Sequence, residues 1–181
     1  MDRKALKILI VSNNLWSLAE GMFGPLFAIF ADKIGGDIFD ITWAWAAYLV
    51  ARGSVSVLTG KISDKWISKE RLVVIGFGLH AIFTFSFLLV SNKWELAIVQ
   101  LGLGLATALA SPTWYSLFAR YSGKNKNGLA WGIVNGLEDY LAAMGIILGG
   151  VLVVRFGFSG LFIIMGVVQT LATLYQAKML K

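Results

Sequence analysis

The sequence predicts an all-α integral membrane protein: six transmembrane helices in a single domain over residues 1–181, with both termini on the cytoplasmic side. Three observations lead there. Of 181 residues, 57% are hydrophobic and 14% charged, and the mean hydropathy is +0.74. Soluble domains sit near about 45–50% apolar and about 25% charged. Six apolar runs can be drawn at 6–31, 41–60, 72–90, 96–118, 129–154 and 158–177, each near or above the roughly 20 residues that cross a hydrocarbon core of about 30 Å. The third observation is the placement of Lys and Arg.

An inside N-terminus assigns Arg3, Lys4, Lys7, Lys61, Lys65, Lys69, Arg71, Arg120, Lys124, Lys126, Lys178 and Lys181 to the cytoplasm, and only Lys33, Lys93 and Arg155 to the other face. Arg52 falls inside a run. Twelve against three is a clear positive-inside bias. The net charge of +6 is therefore topological; it is split among short connectors and does not form a continuous face for nucleic acid. The first run holds Glu20 and leads into five more, so it reads as a span rather than a cleaved signal peptide. Short connectors make neighbours antiparallel, and no alternating barrel pattern is present. With no cysteine and one histidine, His80, neither a disulfide framework nor a metal site is expected, and no cofactor. Twenty glycines suit helices packed through small residues.

Four of the runs carry polar stripes at helical spacing. Asn13, Trp16, Ser17, Glu20 and Gly24 share a face of the first, and Tyr48, Arg52, Ser56 and Thr59 a face of the second. Gln100, Thr107, Ser111 and Trp114 or Tyr115 do so in the fourth, and Asn135, Glu138 and Asp139 in the fifth. A charge at the bilayer centre costs about 2.5–3.5 kcal/mol on insertion scales, so these acids must face protein or water, pair, or hold a proton. Arg52 can lock one acid in a structural ion pair. Three acids against one Arg leave at least one as a candidate proton carrier, since desolvation penalises the charged form. Trp43, Trp45, Trp66, Trp94 and Trp131 near the ends read as interfacial anchors.

The connector after the second run reads Gly60-Lys61-Ile62-Ser63-Asp64-Lys65, followed by Lys69 and Arg71. It resembles the G-x-x-x-D-[R/K]-x-G-[R/K]-[R/K] loop of the Major Facilitator Superfamily of secondary transporters. Gly60, Asp64, Lys65 and Lys69 match, while Ile67 replaces the second glycine and Ser68 the next basic residue. The fourth run (Gln100 to Gly104, then Ala110-Ser111-Pro112) and the fifth (Gly145-Ile146-Ile147-Leu148-Gly149-Gly150) are similar to that family's fourth helix and to its G-P-x-x-G-G, with Ile146 in place of proline.

The resemblance implies one half of a twelve-span fold, built as a 3+3 inverted repeat. It implies packing glycines at Gly145, Gly149 and Gly150. It also implies a central cavity lined by spans one, two, four and five, with spans three and six outside; His80, Gln169 and Thr173 then read as packing residues. Two identical copies inserted alike can pair about an axis along the membrane normal, so a parallel homodimer is expected; the alternatives are a fragment or a different partner half. The expected function is secondary transport of a small solute by alternating access in the cell membrane, coupled to protons. Its pathway would run past Asn13, Glu20, Arg52, Gln100, Trp114, Tyr115, Asn135, Glu138 and Asp139. Asp64 is expected to close the cytoplasmic side against the helix start near Asn127 of the second copy. The rival reading is a membrane scaffold without transport. No nucleophile–base pair or phosphate loop marks an enzyme. Substrate, direction and coupling ion are not legible.

Overall fold

A computed structural model describes residues 3–123 and 127–180; Lys124, Lys126 and Lys181 of the orientation count lie outside them. The described chain is all-helical: α1 (Arg3–Phe23), α2 (Phe27–Lys33), α3 (Ile38–Lys65), α4 (Lys69–Ser86), α5 (Lys93–Ser122) and α6 (Asn127–Gln176), with 3-10 turns at Gly24–Leu26, Phe87–Leu89 and Ala177–Leu180. Four stretches are long and apolar enough to cross a membrane: Ile38–Lys65, Lys69–Leu89, Lys93–Ser122 and Gly128–Leu180.

Local chemistry sets the boundaries. Pro25 sits in the first turn of the 3-10 segment, and its missing N–H divides the first apolar run into α1 and α2. Asp37 and Asp40 cap α3 reciprocally, each carboxylate accepting the other's backbone N–H, at 2.8 and 3.1 Å. Asn92 caps α5 by accepting from Trp94 and Glu95. Ser68 caps α4 by accepting from the Arg71 N–H, which gives the departure from a basic residue there a physical reason. Ile146 leaves the ladder of α6 unbroken; the break comes at Gly157 instead, at φ 69°, a region that L side chains rarely adopt.

Contact register fixes helix direction. Along α1, Asn13 meets Glu138 and Met22 meets Gly149, so α1 runs parallel to the first limb of α6. Ser12 meets Gln176, Glu20 meets Gln169 and Phe30 meets Phe158, so it runs antiparallel to the second. The two limbs are therefore an antiparallel hairpin about Gly157. Trp16 on Phe77 and Phe23 on Phe87 align α4 with α1. Gly76 beside Ala110 and Gly102 beneath Phe83 set α5 against α4. Asp40–Lys93 and Tyr48–Thr107 align α3 with α5.

Six helical limbs thus alternate in direction, and Arg3 and Leu180 lie at the same end. Two apolar clusters close the bundle. Phe23, Phe27, Phe30, Phe87 and Phe162 fill one end, and Leu9, Phe77, Trp114, Leu117 and Phe118 the other. The polar residues of α1 lie between them. Close approach of α1 to α6 depends on glycine: a Cβ on Gly145 would strike the Leu18 carbonyl, and one on Gly149 the Met22 carbonyl. Gly150 does not share this role. A Cβ there meets nothing within 4 Å, because it points away from α1.

Candidate functional site

Helix α1 is the spine of two small polar cavities. The first, of about 80 Å³, is lined by Glu20, Tyr48, His80, Thr84 and Gln100 with aromatic neighbours. Glu20 Oε1 lies 3.4 Å from His80 Nε2 and accepts from Gln169 Nε2 at 3.3 Å. Tyr48 reaches Thr107 Oγ1 at 3.4 Å, and the charges of Glu20 and Arg52 both act on its hydroxyl. The second cavity, of about 40 Å³, is lined by Asn13, Trp16, Ser111, Trp114, Tyr115 and Glu138. There the Asn13 side-chain amide donates to the Glu138 carboxylate, and the neighbouring Asp139 adds its charge.

The structure therefore brings Glu20 together with Gln100, and Asn13 with Trp114, Tyr115 and Glu138. Arg52, Asn135 and Asp139 line neither cavity; Asn135 and Asp139 are exposed. Among the described residues Arg52 makes no ion pair with an acid. Helix α3 is held on one side by α5 and turns Leu49, Val50, Val57 and Leu58 outward, and Arg52 sits at its margin beside Tyr48. Trp114 is buried and spends its indole N–H on the Leu9 carbonyl at 3.2 Å, so it is a wall of the cavity. Trp131 packs on Phe118, with ring centroids 4.6 Å apart, and belongs to the end cluster more than to the surface. In the loop motif, Asp64 is 68% exposed and pairs with Lys69 at 2.8 Å. Its contact within one chain is local.

Two residues that meet Glu20 escaped sequence reasoning, one lining the first cavity and one donating to the carboxylate from behind it. His80 and Gln169 lie on helices expected to stand outside, yet α4 and the second limb of α6 both touch α1 through them. The available signal was the rule that an ionisable residue inside a span is functional by default. Analogy with the outer helices overrode it. A larger groove of about 550 Å³ runs between Gly24–Phe27 and Ile41–Leu49; Phe27, Ile41, Trp45 and Leu49 make it apolar. An acid held by neutral amides, or by one imidazole, in a water-sized cavity can bind water and take up or release a proton.

A bundle of alternating helices, apolar outside and holding carboxylates within, is a multi-pass membrane protein. Residues 9–180 match the Major Facilitator Superfamily, and the chain belongs to that family, whose bacterial and archaeal transporters sit in the cell membrane. It is 26% identical over 157 residues to an uncharacterized MFS-type transporter of Methanocaldococcus jannaschii, covering 87% of this chain and 40% of the relative. It is 23% identical to the multidrug resistance protein MdtG of Dickeya zeae, covering 92% of this chain and 42% of that one. The crystal structure of the POT family transporter PepTSo superposes with a TM-score of 0.77 at 13% identity, covering 97% of this chain and 37% of that one. The chain thus spans about two fifths of the length of these two relatives.

Proposed function

We propose that the chain is half of a secondary active transporter of a small solute, coupled to protons and working by alternating access as a parallel homodimer. In this reading all six limbs cross the bilayer, arranged as a 3+3 inverted repeat with both termini cytoplasmic. The observation that carries it is the pair of acid-bearing cavities along α1, walled by α3, α4, α5 and α6, inside a bundle whose outer surface is apolar.

Charge placement supports the orientation. Arg3, Lys4, Lys7, the Lys61–Arg71 loop, Arg120 and Lys178 gather at one end of the bundle. Lys33 over Phe158 and Lys93 beside Asp40 mark the opposite end, which suits a cytoplasmic first end. Cavity size supports a second body. Spaces of about 80 and 40 Å³ admit a few waters at most, whereas small-molecule sites occupy roughly 300–1,000 Å³. The groove of about 550 Å³ has that size but reaches neither acid, so a solute site that includes the acids needs a facing half, which a second copy would supply. Exposed Asn135, Tyr115 and Asp139 would face it, with Asp64 at its cytoplasmic rim beside Gly60, Lys65 and Lys69.

Liposomes carrying the protein and a trapped pH dye test the reading. A panel of small organic solutes should include at least one whose addition moves protons across the membrane. Cysteines placed in the cytoplasmic loops should cross-link between copies in native membranes. Proton movement indifferent to every solute, with no cross-link, would leave the non-transporting scaffold as the better account.

A further inference from the structure

The chain has one histidine, and it is buried against an acid. His80 is 2% exposed, while the Glu20 side chain facing it is 39% exposed and opens to the cavity. We propose that Glu20, His80 and Gln169 form a proton-binding site of their own, separate from Glu138, in which the carboxylate–imidazole pair takes up one proton. Its use in transport rests on the proton-coupled reading; the binding of the proton does not.

Three observations place the proton here. Glu20 Oε1 accepts from Gln169 Nε2 at 3.3 Å and lies 3.4 Å from His80 Nε2, a separation that favours the Nε2–H tautomer of the neutral imidazole. Both contacts exceed the ordinary 2.7–3.2 Å, leaving room to tighten when the pair becomes charge-assisted. His80 Nδ1 is buried without a partner, as is Gln169 Oε1. In the Nε2–H tautomer Nδ1 is an unused acceptor, which a proton can take. Uptake of one proton from water converts a carboxylate beside neutral imidazole, net charge −1, into a net-neutral pair. In an apolar surround a neutral pair is less costly than a lone charge.

The neighbours keep the site distinct. From α3 it faces Tyr48, with Arg52 beside that phenol and outside the cavity, and from α5 Gln100. Trp16 packs its edge against His80 and its face on Phe77. That indole separates the site from Glu138, which meets Asn13 seven residues earlier on α1, about 10 Å along the helix. Glu138 is the acid of the other cavity, with exposed Asp139 next to it in sequence.

Because His80 is the sole histidine, ¹⁵N-histidine labelling of the full chain in lipid nanodiscs yields one imidazole to follow by NMR. Its resonances should report the uptake of one proton as the pH falls. Glu20→Gln should displace its midpoint by a pH unit or more, about tenfold in proton affinity, and Glu138→Gln should leave it in place. If Glu20→Gln does not fold, Glu20→Asp, which withdraws the carboxylate by one methylene, carries the same comparison. An imidazole that does not titrate, or a midpoint indifferent to Glu20, overturns the proposal. A midpoint that moves equally with Glu138→Gln overturns the separateness of the site. Solute-driven proton flux, measured alongside, tests the transport reading independently: its absence would not alter the titration.

Discussion

Glu20 and Glu138 are both acids on the inner side of one bundle, and both lean on α1, but their surroundings differ in kind. Glu20 is met from two further helices, by an imidazole and an amide, with the phenol of Tyr48 within its field. Glu138 has one amide donor and an adjacent acid. The first arrangement can compensate a charge as it forms. The second can only share it, and it lies on the face shared with exposed Asn135 and Asp139. The difference teaches that acids equivalent in a hydropathy profile are separated by their donors: Glu20 is fastened inside its own bundle, and Glu138 stands at the edge where a facing half would meet it.

The comparison can be broken most forcefully at Glu138. Glu138→Gln, or Asp139→Asn beside it, should lower pH-gradient-driven flux in liposomes by about tenfold or more, general proton-transfer groups contributing roughly 10²–10⁴-fold; expression should hold. Full flux in both variants would make the pair structural. A step smaller is Gly149→Ala, whose Cβ would strike the Met22 carbonyl. Overpacking of this kind costs about 1–3 kcal/mol, read as a lower unfolding temperature in detergent. Gly150→Ala, with open space around its Cβ, should leave the melt unchanged and serves as the control.

Asn13→Leu sharpens the contrast from the other side. It removes the donor to the half-buried Glu138 carboxylate, and the loss should be below the about 1–3 kcal/mol of a fully buried acceptor stripped of its partner. The loss should shrink in the Glu138→Gln background, as a double-mutant cycle would show. Equal losses in both backgrounds would mean that the contact contributes nothing. The smallest effect belongs outside both cavities, at Asp64. As an exposed pair with Lys69 it stabilises by about 0.2–1 kcal/mol. If Asp64 also closes the cytoplasmic side against a second copy, Asp64→Asn should raise the labelling rate of Ser111→Cys from that side, and Lys69→Gln should not. Identical labelling in the two variants would confine Asp64 to its own loop.

Much of this architecture was written into local chemistry. Apolar run length, the lopsided Lys and Arg count, and the motif order at Gly60–Lys69, Gln100–Pro112 and Gly145–Gly149 depend on what each segment does in lipid. A single sequence reports that directly. The caps at Asp37, Ser68 and Asn92 are equally local, as is the Pro25 interruption.

What required the tertiary structure was every question of which stripe meets which. Periodicity places His80 and Gln169 on faces of their helices. It does not say that those faces close on Glu20, because the rotation of α4 and of the second limb of α6 about their axes is set by the fit of side chains from distant parts of the chain. The same holds for Arg52, at helical spacing from Tyr48 yet unpaired with any acid among the described residues, and for Gly150, identical in sequence to its neighbour Gly149 but turned away from α1. In a bundle driven by packing rather than by hydrophobic contrast with lipid, the sequence by itself determined that the chain is a helical membrane protein of this family and which of its connectors are basic. Only the mutual contact of the helices decided which of the three acids, Glu20, Glu138 or Asp139, would find a histidine.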